Sequence, residues 1–176
     1  MSRRGKIGND LNQTLRTVQD AIANVVGLVE QASAGVNGHE SELTKALREE
    51  VYATLFGLIA GVLATNRQFT DVRQTFFRLL ITAHYPGDCG VRPLDEFAER
   101  WHNGSRRAPE FFRVAFRHDA RAASEIMREI QIAAHNASVC DREFATAEHK
   151  AVKKYIGMLE RHAELWNAGI ETQSVD

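Results

Sequence analysis

The sequence predicts an all-α fold: a single helical domain of about seven helices with an internal two-fold repeat, preceded by an amphipathic N-terminal helix. Three observations carry this. Apolar residues recur at spacings of three and four through most of the chain, and no period-two alternation of any length occurs. Only three prolines, Pro86, Pro93 and Pro109, interrupt 176 residues rich in the helix formers Ala, Leu, Arg, Glu and Gln. The apolar pattern also halts at a short polar turn and restarts at two places that look alike, "NRQFTDVRQTFFRLLI" and "DREFATAEHKAVKKYI". With 44% apolar residues the chain can build one sizeable core.

Each element has its own signal. Leu11, Leu15, Val18, Ile22, Val25 and Val29 alternate spacings of four and three, an a/d seam on a helix that starts near Asn9 and ends at "ASAGVNGHE". Residues 1–35 therefore form an N-terminal amphipathic unit; the residues flanking its seam (Asn12, Thr14, Gln19, Asn24) lack the opposite-charge pattern of a strong zipper, which favours packing on the rest of the chain, with a face for a protein partner or for self-association as the other reading. A second helix, from about Glu40 to Thr65, carries Leu43, Leu47, Val51, Leu55, Leu58 and Val62 on one face. Phe56 and Ile59 widen that stripe, so the helix is central. The third, from Asp71 to about His84, buries Val72, Phe76, Leu79 and Leu80 and is stopped by "YPGDCG". Pro93 suits the first turn of a short helix bearing Leu94, Phe97 and Trp101. Phe111, Phe112, Val114 and Phe116 belong to another short helix from Pro109. Asp119 is the N-cap of the next, whose inner face is Ile126, Ile130, Ala133 and Ala137. The last helix, from about Thr146 to Asn167, carries Val152, Tyr155, Ile156, Leu159, Ala163 and Trp166, and residues 169–176 are a solvated tail.

Charge and composition exclude several function classes. A formal net charge of −1 supplies no global field for nucleic acid or an anionic membrane. The longest apolar run, within residues 55–64, is about half the ~20 residues of a membrane span, so no transmembrane segment is expected. The basic start "MSRRGKIGND" leads into no apolar stretch and does not read as a secretory signal. Cys89 and Cys140 are too few for a disulfide framework, and a cytoplasmic protein with reduced thiols is expected.

Laying the two turn segments over each other aligns Asn66 with Asp141, Arg67 with Arg142, Phe69 with Phe144, Thr70 with Ala145 and Arg73 with Glu148. A buried Phe pins such a turn, a polar residue before it satisfies free backbone groups, and Thr70 can cap the helix that follows. On "CDREFATAEH", through Asp141, Phe144, Ala145 and Glu148, the chain resembles the tellurite-resistance TerB-like family, whose turn reads approximately A-x-x-D-G-x-I-S-x-x-E in each helical half. The resemblance covers residues 40–168. Arg67 and Arg142 stand at the family's glycine position, and Asn66 and Arg73 where acids belong.

The resemblance implies a divalent-cation site of paired acids, for which Asp141 and Glu148, with Glu143 nearby, supply one half-site; calcium needs six or more oxygens. An acid at a helix start is also what the macrodipole favours without a metal. His84, Cys89, His135 and Cys140 form two H-x4-C pairs, a spacing poorly suited to zinc. Cys89 with His84 is the one conceivable nucleophile and base. Arg113, Arg117 and Arg121 make a basic stripe for phosphate or an acidic partner only if one helix continues through His118 and Asp119, and the interspersed Asp119, Glu125 and Glu129 favour a solvated, ion-paired face instead. The reading these residues give is a non-enzymatic helical interaction module without a cofactor, with a divalent-metal sensor as the alternative. The resemblance adds a setting in a multi-protein stress-response or phage-defence system.

Overall fold

A computed structural model of the chain describes residues 3–34, 42–65, 70–84, 109–141 and 146–167, and only the backbone of 3–9 and 165–167. Six helices occupy them: α1 (Arg3–Ala34), α2 (Glu42–Ala64), α3 (Asp71–His84), α4 (Glu110–His118), α5 (Ala120–Ser138) and α6 (Thr146–Asn167). No strand occurs among the described residues. The expected short helix after Pro93, with Leu94, Phe97 and Trp101, lies outside them, as do Phe69, Phe144 and Cys89.

One core joins all six helices. α5 is its hub, touching α1, α2, α4 and α6, and its contact with α1 is the most extensive in the molecule. The inner face of α5 is as expected: Ile126, Ile130, Ala133 and Ala137 are buried. Its alanines carry little bulk, which lets a neighbouring backbone come close, and the branched Val18, Ile22, Val25 and Val29 of α1 supply volume to the shared core.

That packing decides between the two readings of the α1 seam in favour of the chain's own core. Val18, Ile22 and Val25 are 0% exposed and Val29 is 1% exposed, while Leu11 and Leu15 pack half-buried on the same core. The seam proposed for a partner is spent inside the chain, because α1 has α2, α3, α4 and α5 to cover it. α1 is thus a core helix of the fold.

Two further residues fall on the other side from that expected. Leu43 is 46% exposed and Leu79 41% exposed. At the α1–α2 junction the buried Ser33 and Thr44 hydroxyls meet at 3.1 Å, and turning Thr44 inward sends its neighbour Leu43 outward. In α3 the inward positions are taken by Phe76, Phe77, Leu80 and Ile81, which leaves Leu79 on the outer face.

Helix ends are handled by side chains from the core elements. Pro109 precedes α4 and offers no side-chain cap. Glu50 of α2 replaces it, its two carboxylate oxygens accepting from the N–H groups of Glu110 at 2.9 Å and Phe111 at 2.8 Å. An anion at a helix N-terminus satisfies orphan donors and the macrodipole together. Asp119 divides α4 from α5. Its backbone is extended (φ −159°, ψ 123°), its N–H donates to the Ala115 carbonyl, and its carboxylate accepts from the Arg121 N–H at 2.8 Å. It is the N-cap that the sequence suggests.

Replacing Ile22 with Ala should therefore cost about 2–5 kcal/mol, the range for a large-to-small change at a fully buried site. Urea unfolding checks this. A loss near zero would return the face to solvent and to a partner.

Candidate functional site

The most unusual chemistry lies where the turn after α2 meets the turn after α5. Arg73 is 2% exposed and is the bulkiest of the fully buried side chains. Its position follows from local signals. Thr70 precedes α3 as an N-cap, its Oγ1 accepting from the Arg73 N–H at 3.3 Å and its carbonyl from the Gln74 N–H at 3.1 Å. This aims Arg73, in the first turn of α3, back under the end of α2, where its Nη1 donates to the Leu63 carbonyl at 3.3 Å. That carbonyl belongs to the last turn of α2, where the helix's own N–H groups run out.

Two carboxylates close on the same guanidinium. Arg73 Nε donates to Asp141 Oδ2 at 2.5 Å, and Nη2 pairs with Glu148 Oε1. The Asp141 side chain is 5% exposed and that of Glu148 1%. Asp141 stands in the turn leaving α5, whose last turn is tightened by Cys140 N–H donating to the Ala137 carbonyl at 3.2 Å. Glu148 lies in the first turn of α6. Arg73 thus links four helix ends: α2, α3, α5 and α6. Burial by itself would lower the pKa of Arg73. The hydrogen bond to Asp141 and the charges of Glu148 and Asp141 outweigh burial and raise it, so the guanidinium stays charged.

Beside this cluster, burial and the Asp141 charge push the Cys140 thiol up to about 12. At neutral pH it is held as the thiol, the less reactive form. His135 is exposed while Cys140 is buried, so the two halves of that H-x4-C pair face different environments. His84 sits against the rings of Tyr52 and Phe56, with centroids 5.2 and 5.7 Å away, and burial lowers its pKa. Among the described residues, no group of three or more His, Cys, Asp and Glu side chains is placed to hold a metal ion.

The remaining candidates separate. Asp141 and Glu148 are brought together as expected, but around an arginine. Arg113, Arg117 and Arg121 are not one stripe, because the chain turns at Asp119 and breaks the i, i+4, i+8 register. Arg113 pairs with Glu110 on α4, and Arg117 and Arg121 are exposed on either side of the break. Helical periodicity does not reveal the role of Arg73, although a signal is present: Arg73 and Glu148 are opposite charges at aligned places of the two turn segments.

Comparison with family models, curated proteins and solved structures found no match for this chain. Among the described residues no helix is long and apolar enough to cross a membrane.

Arg73→Met leaves Asp141 and Glu148 buried without their guanidinium and should destabilise the protein by about 3–5 kcal/mol. Adding Asp141→Leu and Glu148→Leu should recover most of the loss, since an apolar replacement of a whole buried ion group is often neutral. Chemical denaturation of the single and triple variants tests both statements. Cys140 should resist iodoacetamide at about pH 8 in the folded protein and react in denaturant, as read by peptide mass mapping; labelling of the native chain at Cys140 contradicts its burial.

Proposed function

We propose that this chain is a non-enzymatic helical interaction module, built of two related halves like the TerB-like domains it resembles, and acting in the cytoplasm as a component of a multi-protein stress-response or phage-defence system. The setting comes from the resemblance on Asp141, Phe144, Ala145 and Glu148. One observation favours the module over the divalent-metal sensor. The two acids that the resemblance would give to a cation are already held by the buried guanidinium of Arg73. A divalent ion entering there has to displace an internal cation and strip a carbonyl and two carboxylates of their partner. The same contact supports the duplicated architecture, since Arg73 and Glu148 occupy equivalent positions and each completes the other's turn.

Nothing in the cluster is arranged to transform a substrate. Its one adjacent thiol is held protonated, and its charged groups are turned into the core instead of toward solvent. The chemistry of the cluster is that of a fixed joint, which suits a body that presents surfaces to other proteins.

Isothermal titration of calcium, magnesium and zinc into the wild-type chain and into Asp141→Ala separates the two readings. Indistinguishable, negligible heats in both proteins are expected. A saturable heat in the wild type that Asp141→Ala abolishes, with its circular dichroism retained, would instead make the chain a metal sensor. Affinity capture of the tagged wild-type chain with quantitative mass spectrometry should then return a stoichiometric protein companion.

A further inference from the structure

The two ends of α3 are fastened by different chemistry. Its first turn is held by the Thr70 cap and by the ion group around Arg73. Its middle buries Phe76, Phe77, Leu80 and Ile81. Beyond Ile81, Thr82 and Ala83 are exposed, so the half-buried His84 is the side chain that brings the last turn back to the core. Little else holds that end, since the contacts of α3 with α1 and α2 are both less extensive than any that α5 makes.

His84 docks on aromatic rings. Tyr52 and Phe56 share a face of α2 and stack with centroids 5.9 Å apart and planes 11° from parallel. The imidazole lies against both, 5.2 Å from Tyr52 and 5.7 Å from Phe56, at tilts of 44° and 53°. Its Nε2 is buried, and among the described residues nothing hydrogen-bonds to it. Protonation adds a charge and an N–H donor there with no acceptor to meet either.

No charged side chain offsets that cost. Arg48 and Glu49 of α2 and Glu30 of α1 bear on the Tyr52 hydroxyl, and none of them acts on the imidazole. On α3 itself the nearest charged residue, Arg78, is exposed and more than a turn back. The carbonyl end of a helix favours a cation, but burial prevails and holds the His84 pKa below its ordinary value of 6.5. Docking of the ring therefore favours its neutral form. It is complete above pH 6.5 and is lost as pH falls through the lowered pKa.

We propose that His84 is a proton-operated latch on α3: neutral, it seats the last turn on Tyr52 and Phe56; protonated, it leaves the rings, and that turn detaches from α2 while Arg73 keeps the first turn in place. The Arg73 guanidinium stays charged across that range, so the two ends of one helix answer acid differently. Detachment opens one side of Phe56, otherwise 0% exposed, with Tyr52 beside it. Acid thus presents an aromatic patch that neutral pH conceals.

Hydrogen exchange of the full chain tests the latch, read by peptide mass spectrometry at about pH 7.5 and about pH 5.5 and corrected for the intrinsic rate. In the wild type the amides of residues 79–84 should lose protection at the lower pH while those of residues 73–78 keep it. His84→Phe fills the site with a ring that cannot titrate and should keep protection at both values. His84→Gln, neutral at both and less well packed, should show equal protection at the two. By NMR, the His84 ring protons should titrate at lower pH in the folded chain than in urea. A wild type whose residues 79–84 are as protected at the lower pH as at the higher overturns the proposal. So does a loss that both variants retain, which assigns it to another group such as the buried His162 of α6, or a loss spread evenly over all six helices, which is global unfolding.

Discussion

A guanidinium buried between two carboxylates is the contact on which the arrangement of this chain turns. α3 follows α2 in the chain and α6 follows α5, and the Arg73 side chain reaches groups of both pairs. Apolar packing is forgiving of small slides and rotations, since many side-chain arrangements fill the same volume. A buried ion group is not, because any displacement leaves a charge without its partner in a medium that solvates it poorly. A cluster of this kind ties the α2–α3 pair to the α5–α6 pair in one arrangement and adds little net stability over an apolar replacement.

Around that fixed point the apolar core does the bulk stabilisation. α5 is small-sided and central, α1 covers it with β-branched residues, and α2 runs buried from Leu55 to Leu63. The polar contacts at the periphery follow the same logic as Arg73: each sits where a helix end would otherwise waste a donor or acceptor. Glu50 closes the start of α4, Asp119 the start of α5, and Thr70 the start of α3. Glu129, 6% exposed on α5, reaches Asn24 of α1 at 3.2 Å, so even the largest helix contact carries a polar peg. Arg48 ties α2 to Glu30 at 2.6 Å near the other end of α1.

Much of this was legible in the sequence, and the reasons for the failures are physical. Helical periodicity gave the all-α class and the inner face of α5, because spacing alone decides which residues share a face. It could not tell whether the seam of α1 meets the chain's own core or another molecule, since both want Val18, Ile22 and Val25 on one side. Leu79 was misplaced because it adjoins Leu80, and only three-dimensional packing chooses between neighbours 100° apart on a helix. The acids of the α5–α6 turn were found through their resemblance to a cation site, but a buried arginine is rare enough that Arg73 read as a departure from a motif instead of as the cation itself. The Glu50 cap had no local signal, being 60 residues from the helix it caps.

The inner and outer faces of α6 are linked by one choice. Glu148 is the only acid in the first half of that helix, and the core takes it to hold Arg73. Had it stood on the outer face, within one turn of the lysines, Lys150 and Lys153 could have been neutralised within the helix. Because the interior claims it, the beginning of the outer face is left basic, while at its end Arg161 stands between Glu160 and Glu164. The demand of the buried cluster for charge thus decides which face of α6 its first acid serves, and a single arginine in α3 sets both the joint inside the protein and the absence of an acid beside Lys150 and Lys153 on the helix.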